Sequence, residues 1–378
     1  MTVKQRILVV GVGFSGAVVA RELAEAGQRV LVIDERDHLA GNCHTERDPE
    51  TGVLIHRYGP HIFNTNLEHV WHYMQRFGTW MPYVNRVKAS IESGIYSLPI
   101  NLHTINQFFG LRLDPLEAEA FLRSKASVEI HEPANFEEQA LRFIGEDLYR
   151  AFFYGYTKKQ WGCEPRELPA SILKRIPVRF NYNDNYYASR WQGLPLEGYT
   201  EVVRRILDHP GISVELGVRW QRGDRHAYQP VVYTGPIDKY FNCDAGSLGY
   251  RTVTWMRTTG DGDLQGNAVI NYCGLNEEFT RVHEHKHFAP WESHGRTAVF
   301  TEYSKETEAG DIPYYPKRLQ PDLALLASYQ ERAAQEERVT FLGRLATYRY
   351  LNMDAVVAEA LEVGNLLNDK LWRSQSTG

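Results

Sequence analysis

Two hydrophobic periods run along this chain, and the change from one to the other divides it. Arg6 to Val10 is a short apolar, largely β-branched run, as a strand buried on both faces of a parallel sheet requires. Ala17 to Ala26 repeats apolar residues at helical spacing, and Gly27 stands where a helix ends in the left-handed conformation. Val30 to Ile33 is a second buried strand. Glu68–Phe77 predicts an amphipathic helix, and Tyr83–Ser97 predicts a hairpin turning at Glu92–Gly94, with Asn85 in its first strand. From Leu102 to Gln160 the texture turns helical with acidic first turns, which predicts a small helical domain inserted between strands. Val231–Asp238 reads as a buried strand running into a Gly-Pro turn, where the chain returns to its first sheet. Tyr250–Phe300 is strand-rich. Thr340–Asn352 predicts a strand, a glycine and the start of a helix.

Between the first strand and the first helix stand Gly11, Gly13 and Gly16, and the second strand ends at Asp34. Gly11 suits a tight turn, Gly13 the close approach of a pyrophosphate, and Gly16 the packing of helix on strand. The phosphates would sit on the open N–H groups of the helix N-terminus, and Asp34 would accept from a ribose 2′-OH. Strand, glycines, helix, strand and acid in one register make a dinucleotide fold. The motif fits FAD and NAD equally.

At 378 residues the chain exceeds the roughly 250–300 at which one core usually divides, so two or three domains are expected. A net charge of −5 gives no support for a nucleic-acid or anionic-membrane partner. Cys43, Cys163, Cys243 and Cys273 are scattered without C-x-x-C spacing, which fits a reduced, cytoplasmic chain. The first residues lead straight into a strand without a signal-peptide pattern, and no apolar run approaches membrane-spanning length.

Candidate chemistry is spread along the chain. In Asp37–Asn42, Gly41 and Asn42 fit either a ligand-facing bend or an ordinary turn. His61 lies in a Gly-Pro loop, GPHIFNTN. Phe152, Phe153, Tyr154, Tyr156 and Trp161 crowd around Gly155 with Thr157 and two lysines. They suit a base-stacking platform or a helix packed on its aromatic face. Leu168–Phe180 is bracketed by Pro169 and Pro177 and carries Lys174, Arg175 and Arg179; composition alone favours a solvated basic loop, and the other reading is a lid whose arginine would bind phosphate oxygens two at a time. RVHEHKHF puts Arg281, His283, His285 and His287 on one strand face. An exposed sheet face explains that pattern better than a metal site, and no metal is expected. Pro313–Pro316 reads as a rigid aromatic turn, and Arg344 lies at the last strand-to-helix junction.

The motifs GVGFSG, VIDERDHLAGN, GPHIFNTN, YVNRVKA, GYTKKQWG, LPASILKRIPVRFNYNDNYY, QGLPLEGYT, VVYTGPID, TRVHEHKHF, YYP and GRLATYRYLNMD follow one another through nearly the whole chain. In that order they resemble the bacterial UDP-galactopyranose mutases. The resemblance implies FAD, active when reduced, in place of NAD. It implies an α/β fold of three parts: a discontinuous Rossmann-like FAD domain (1–81, 197–243 and 317–378), a helical bundle (102–160), and an antiparallel sheet domain (82–101, 161–196 and 244–316) with a mobile lid at about 168–180. Carried over residue by residue, FAD contacts fall to Gly11, Gly13, Phe14, Gly16, Asp34, Glu35, Asn42, His61, Ile62, Arg344, Leu351, Asn352 and Met353. Substrate contacts fall to Asn64, Asn85, Phe152, Tyr156, Thr157, Trp161, Arg175, Tyr186, Asn271, Arg281, Tyr315 and Tyr350. Arg175 and Arg281, with His61, are the expected catalytic residues.

The reaction implied is a redox-neutral exchange of UDP-galactopyranose and UDP-galactofuranose, in which N5 of reduced FAD attacks the anomeric carbon and UDP leaves and returns. A homodimer is implied too. Two positions depart from the family pattern: Asn64 stands in place of a histidine, and Asn352 in place of an aspartate. Asn64 bears on the sugar, so UDP-N-acetylgalactosamine or a 6-deoxy sugar nucleotide is the alternative substrate. An FAD-dependent oxidoreductase is a more distant reading of the same nucleotide domain.

Overall fold

The computed structural model describes residues 7–170, 172 and 178–376. Its first sheet is parallel throughout, in the order Ile212–Leu216, Val30–Asp34, Ile7–Val10, Val231–Tyr233 and Val339–Phe341. Ile7–Val10 is buried along its whole length, as the apolar run requires. The helix Phe14–Glu25 covers one face, and Gly27 follows it with φ +83°. The long helix Met353–Ser376 crosses that helix closely. A Cβ on Gly364 would lie 2.7 Å from Glu22 Cβ, and Asn368 Nδ2 donates to the Glu22 carbonyl at 3.2 Å. This mixed α/β architecture with a Rossmann-like sheet is the one expected.

The second sheet has seven strands in the order Tyr315–Pro316, Tyr250–Asp261, Arg296–Glu306, Arg281–Glu284, Val269–Tyr272, Val87–Ile91 and Gly94–Leu98. It is antiparallel except where Val269–Tyr272 runs beside Val87–Ile91. The hairpin closes at Ile91 opposite Gly94. The stretch from Leu102 to Trp161 is helical, and its caps are legible in the sequence. Asn101 caps Leu102–Phe109, Asp114 and Glu117 form a capping box before Pro115–Lys125, and Asn135 caps Phe136–Leu148. A π-helical turn, Tyr149–Tyr154, then leads into Gly155–Trp161.

Four local expectations need correction. Asn85 precedes the strand Val87–Ile91 and does not lie in it. The GPHIFNTN segment is not all loop, since Phe63–Thr65 pairs with Trp191–Gly193 in a small sheet completed by Trp80–Pro82. Tyr315–Pro316 is an edge strand pairing with Tyr250–Arg251, a place where proline's missing N–H costs no ladder bond. In RVHEHKHF only Arg281–Glu284 is strand, and His285–Phe288 turns into a 3₁₀ helix. His283 and His285 are fully buried, so this is no exposed face: burial of the aromatic rings overrides the two-residue period.

The pair Thr45–Arg47 and Leu54–His56 is pinned to the large sheet by Asp48, which is 1% exposed. Arg257 donates to it through Nε (2.6 Å) and Nη2 (2.9 Å), and these bonds hold its carboxyl far below the usual carboxylate range. Asp48→Asn removes a buried carboxylate charge that accepts from Arg257 and Thr51, while exposed Arg257 keeps its bond to Glu50. The expected loss is about 1–2 kcal/mol in a denaturant titration, the scale of weakened hydrogen bonds to a charged group, because solvent and Glu50 still serve the Arg257 charge. A loss below about 0.5 kcal/mol, the range of ordinary surface changes, would contradict the pinning role.

Candidate active site

The glycine loop sits at the carboxyl ends of the parallel strands, where doubly wound sheets hold ligands. Gly11 has φ +105°, and a Cβ there would come within 2.0 Å of Thr234 Oγ1. A Cβ on Gly16 would meet the Gly11 carbonyl at 1.9 Å. Around Gly13, by contrast, an added Cβ would meet nothing within 4 Å, so the helix N-terminus opens onto free space. No side chain caps that N-terminus and no acid lies in its first turn, which leaves its N–H groups for an anion. Asp34 also ties the loop together: Oδ2 accepts from Val12 N and Oδ1 from Arg36 N, both at 2.9 Å. Beside it, Arg36 lies over the Tyr58 ring and donates to Asn42 Oδ1, while its Nη1 is buried without a partner. An open helix end, an aspartate at the second strand and an unsatisfied guanidinium N–H fit a dinucleotide such as FAD. Glu35 is exposed and pairs with Arg219 at 3.3 Å.

His61 is tethered to this region. Its Nδ1 meets the Gly59 carbonyl at 2.7 Å, so Nδ1 carries the proton and Nε2 is an acceptor. Burial and the nearby Arg344 charge lower its pKa to about 4, so the ring is neutral at pH 7. Two more buried imidazoles hold its loop. His61 N donates to His56 Nδ1 at 3.3 Å, and His56 N donates to His285 Nδ1 at 3.2 Å. Arg344 grips the Leu351 carbonyl through Nε (3.2 Å) and Nη2 (2.5 Å), just ahead of exposed Asn352 and the helix that starts at Met353. Its guanidinium lies 4.8 Å from the Tyr350 ring centre.

Arg281 is the centre of the second half of the site. On the neighbouring strand Glu302 stands directly opposite it and is 1% exposed. Arg281 Nε (2.9 Å) and Nη2 (2.7 Å) both donate to Glu302 Oε1, which also accepts from Thr280 Oγ1 at 3.0 Å. His283 Nε2 meets Oε2 at 3.2 Å. Burial opposes both charges. Mutual attraction wins, holding the Glu302 carboxyl at about 2 and raising the guanidinium pKa further. Tyr156, Tyr186, Tyr187 and Tyr315 lie close enough to feel the Arg281 charge, and burial keeps their phenols protonated. Tyr315 and Tyr350 stack with ring centres 5.8 Å apart. Asn85 and Asn271 are buried, and each has a side-chain oxygen without a hydrogen-bond partner. Each is an acceptor in need of a donor.

The structure therefore draws His61, Asn85, Tyr156, Tyr186, Asn271, Arg281, Tyr315, Arg344 and Tyr350 towards one region. Trp161 joins through Tyr315, with ring centres 6.4 Å apart, and Thr157 is buried on the same helix. Phe152 is placed otherwise: it packs edge-on against Tyr96 and Phe108 in the helical core. Arg175 lies outside the described residues. Asn64 is held by its neighbours, with Ser189 Oγ donating to Oδ1 at 2.9 Å and Nδ2 donating to the Ile62 carbonyl at 3.2 Å. Sequence reasoning misses Glu302, Arg36 and Tyr187. The signal for Glu302 is the antiparallel register, which needs the fold first. Among the described residues, the metal-capable groups that converge are Asp263, Glu284 and His287, and the Lys286 ammonium already lies within 4.0 Å of both carboxylates.

Comparison with known proteins places this geometry in context. Residues 151–350 match the family model described as UDP-galactopyranose mutase, and residues 9–77 match a NAD(P)-binding Rossmann-like domain. A probable UDP-galactopyranose mutase of Klebsiella pneumoniae is 53% identical over 96% of this chain and 94% of its own. A dTDP-fucopyranose mutase of Escherichia coli is 48% identical over 96% of this chain and 98% of its own. A crystal structure of reduced UDP-galactopyranose mutase shares the fold, with a TM-score of 0.75 at 16% identity over 96% of this chain and 95% of that one. Among the described residues no helix is long and apolar enough to cross a membrane.

The buried histidines make stability depend on pH. His56 (held at about 3), His61 (about 4) and His285 stay neutral when folded, whereas unfolded histidine titrates near 6.5. The unfolded chain thus takes up protons first as pH falls, and stability should drop as pH goes from 7.5 to 5.5. The check is the thermal midpoint across that range. His285→Gln should flatten the slope, and a midpoint that is level or rises on acidification would contradict the assignment.

Proposed function

This chain belongs to the UDP-galactopyranose mutase family of isomerases, with FAD as cofactor, and on that premise we propose that it interconverts the pyranose and furanose forms of UDP-galactose. The observation that carries the reading is Arg281, charged, held by Glu302 and near enough to Tyr156 and Tyr315 for their phenols to feel its charge. A guanidinium so placed meets the charge that develops on a departing diphosphate. A hydride-transfer enzyme has no such charge to meet.

Reduced FAD, when bound, supplies electron density toward the anomeric carbon and recovers it, so the reaction needs no external acceptor. The chain's own residues do the rest. Arg281, with Arg175 proposed as the second cation, binds the diphosphate and holds it after the glycosidic bond breaks, so that UDP is still in place for the return step. Tyr156, Tyr186, Tyr315 and Tyr350 donate to phosphate oxygens without adding charge of their own. The helix bearing Tyr156, Thr157 and Trp161 receives the uridine. Asn85 and Asn271 accept from sugar hydroxyls through their unpaired oxygens. His61 Nε2, neutral and near two guanidinium charges, is proposed to accept a hydrogen bond from a sugar hydroxyl or a flavin N–H. A reduced, cytoplasmic setting and a homodimer accompany this proposal.

A second reading is the same ring change on another nucleotide sugar, either a 6-deoxy sugar nucleotide or UDP-N-acetylgalactosamine. Asn64 favours it: a short amide locked by Ser189 and Ile62 stands where the family pattern has a larger imidazole. The relative named dTDP-fucopyranose mutase also supports it. The deciding experiment incubates dithionite-reduced holoenzyme with UDP-galactose, UDP-N-acetylgalactosamine and dTDP-fucose and identifies product ring size by NMR. Furanose product from UDP-galactose at the highest kcat/KM supports the main reading. Preference for dTDP-fucose or UDP-N-acetylgalactosamine selects the second, and dependence on an added electron acceptor would overturn both.

Arg281→Ala should lower turnover by at least about a thousandfold, since it removes a preorganised charge from the transition state. It should leave the flavin absorption spectrum intact, because Arg281 is proposed to touch phosphate. Loss of bound flavin in this variant would show that the residue serves the cofactor.

A further inference from the structure

Lys159 lies on the helix Gly155–Trp161, between Thr157 and Trp161. Its ammonium donates to three main-chain carbonyls: Phe279 at 2.8 Å, Tyr272 at 3.0 Å and Glu277 at 3.0 Å. Tyr272 ends the strand that carries Asn271, while Glu277 and Phe279 lead into the strand that begins at Arg281. One cation thus grips both stems of the loop that joins two proposed substrate residues, from a helix that carries three more.

The fit of helix to loop is otherwise tight. A Cβ on Gly155 would lie 2.4 Å from the Cys273 carbonyl. The far end of the helix is held by the same sheet: Arg251 Nε donates to the Gln160 carbonyl at 3.0 Å and Nη2 to the Lys159 carbonyl at 3.2 Å, and Ser304 Oγ donates to the Gln160 carbonyl at 2.7 Å. Gly162 allows this approach, because a Cβ there would fall 2.2 Å from Arg251 Nη1. The helix is therefore stitched to the sheet at its middle and at its end, while a π-helical turn separates it from the rest of the helical insert.

We propose that Lys159 is a positioning residue that sets the distance between the aromatic helix and the strand bearing Arg281, so that a nucleoside diphosphate is held at both ends at once. This rests on the proposed reading of the site as one for a nucleoside diphosphate sugar. A ligand that meets two pre-spaced subsites gains the effective concentration of its second half, and that gain depends on the spacing. Lys159 touches neither half. Its loss should therefore weaken the linked ligand more than either fragment.

The test measures binding of UDP, UMP and inorganic pyrophosphate to FAD-loaded protein by calorimetry, for the native chain, Lys159→Met and Lys159→Arg. Lys159→Met is expected to weaken UDP by at least about tenfold, the scale of a lost effective-concentration gain, while changing pyrophosphate affinity less than about threefold. Lys159→Arg, which keeps a charged donor, should recover part of the UDP affinity, and in turnover Lys159→Met should raise KM more than it lowers kcat. If Lys159→Met does not fold, Lys159→Gln, which keeps two donors, carries the same comparison. Unchanged UDP affinity, or an equal loss for UDP and pyrophosphate, would overturn the positioning role. Failure of the native chain to bind UDP would instead overturn the reading of the site.

Discussion

In the proposed reading, the ion pair of Arg281 and Glu302 on neighbouring strands governs what the site can do. Arginine brings charge and two-pronged geometry to a diphosphate, but its long side chain would ordinarily lose much of that advantage to motion. Here Glu302 removes the motion. It lies opposite Arg281 on the next strand, accepts two of its N–H groups, and is itself held by Thr280 and met by His283. Burial raises the stakes, because either charge alone would be expensive there. Together they form a dipolar pair whose guanidinium has a fixed direction, and the protonated tyrosines near it bring no negative charge of their own.

The two parts proposed to hold nucleotides come together near that arginine. The parallel sheet contributes an open helix N-terminus beside Asp34 and Arg36, and its last strand leads to Arg344, whose guanidinium anchors Leu351 and faces Tyr350 and Tyr315. The larger sheet contributes Arg281 and Asn271. His61, reached from the first part, is tied through His56 to His285 at the end of the Arg281 strand. Cofactor side and substrate side are thus joined through backbone hydrogen bonds onto buried neutral imidazoles. That is a stiff connection for groups proposed to keep a nucleophile and a sugar in register.

Much of this architecture is legible in the order of residues along the chain. The glycine motif, the second-strand aspartate and the flanking strands are local features, and each falls where spacing puts it. The helical insert announces itself through caps at Asn101, Asp114 and Asn135. What escapes is non-local. Glu302 sits in an alternating strand, TEYSKE, where a glutamate reads as solvent-facing until the partner strand supplies Arg281. Lys159 reads as one of two ordinary lysines until three carbonyls close on it. His283 and His285 read as exposed because periodicity reports the conformation of a strand and says nothing of what covers it. Phe152 shows the same limit: the aromatic cluster is visible, but which rings face the cleft and which fill the core depends on helix rotation against Tyr96 and Phe108.

The most direct test of the central claim is a crystal structure of the reduced, FAD-loaded protein with UDP. A phosphate oxygen within about 3 Å of Arg281, hydrogen-bonding distance, with the Glu302 pair intact behind it, is the predicted result. UDP seated elsewhere, with Arg281 bound only to Glu302 and water, would contradict the account.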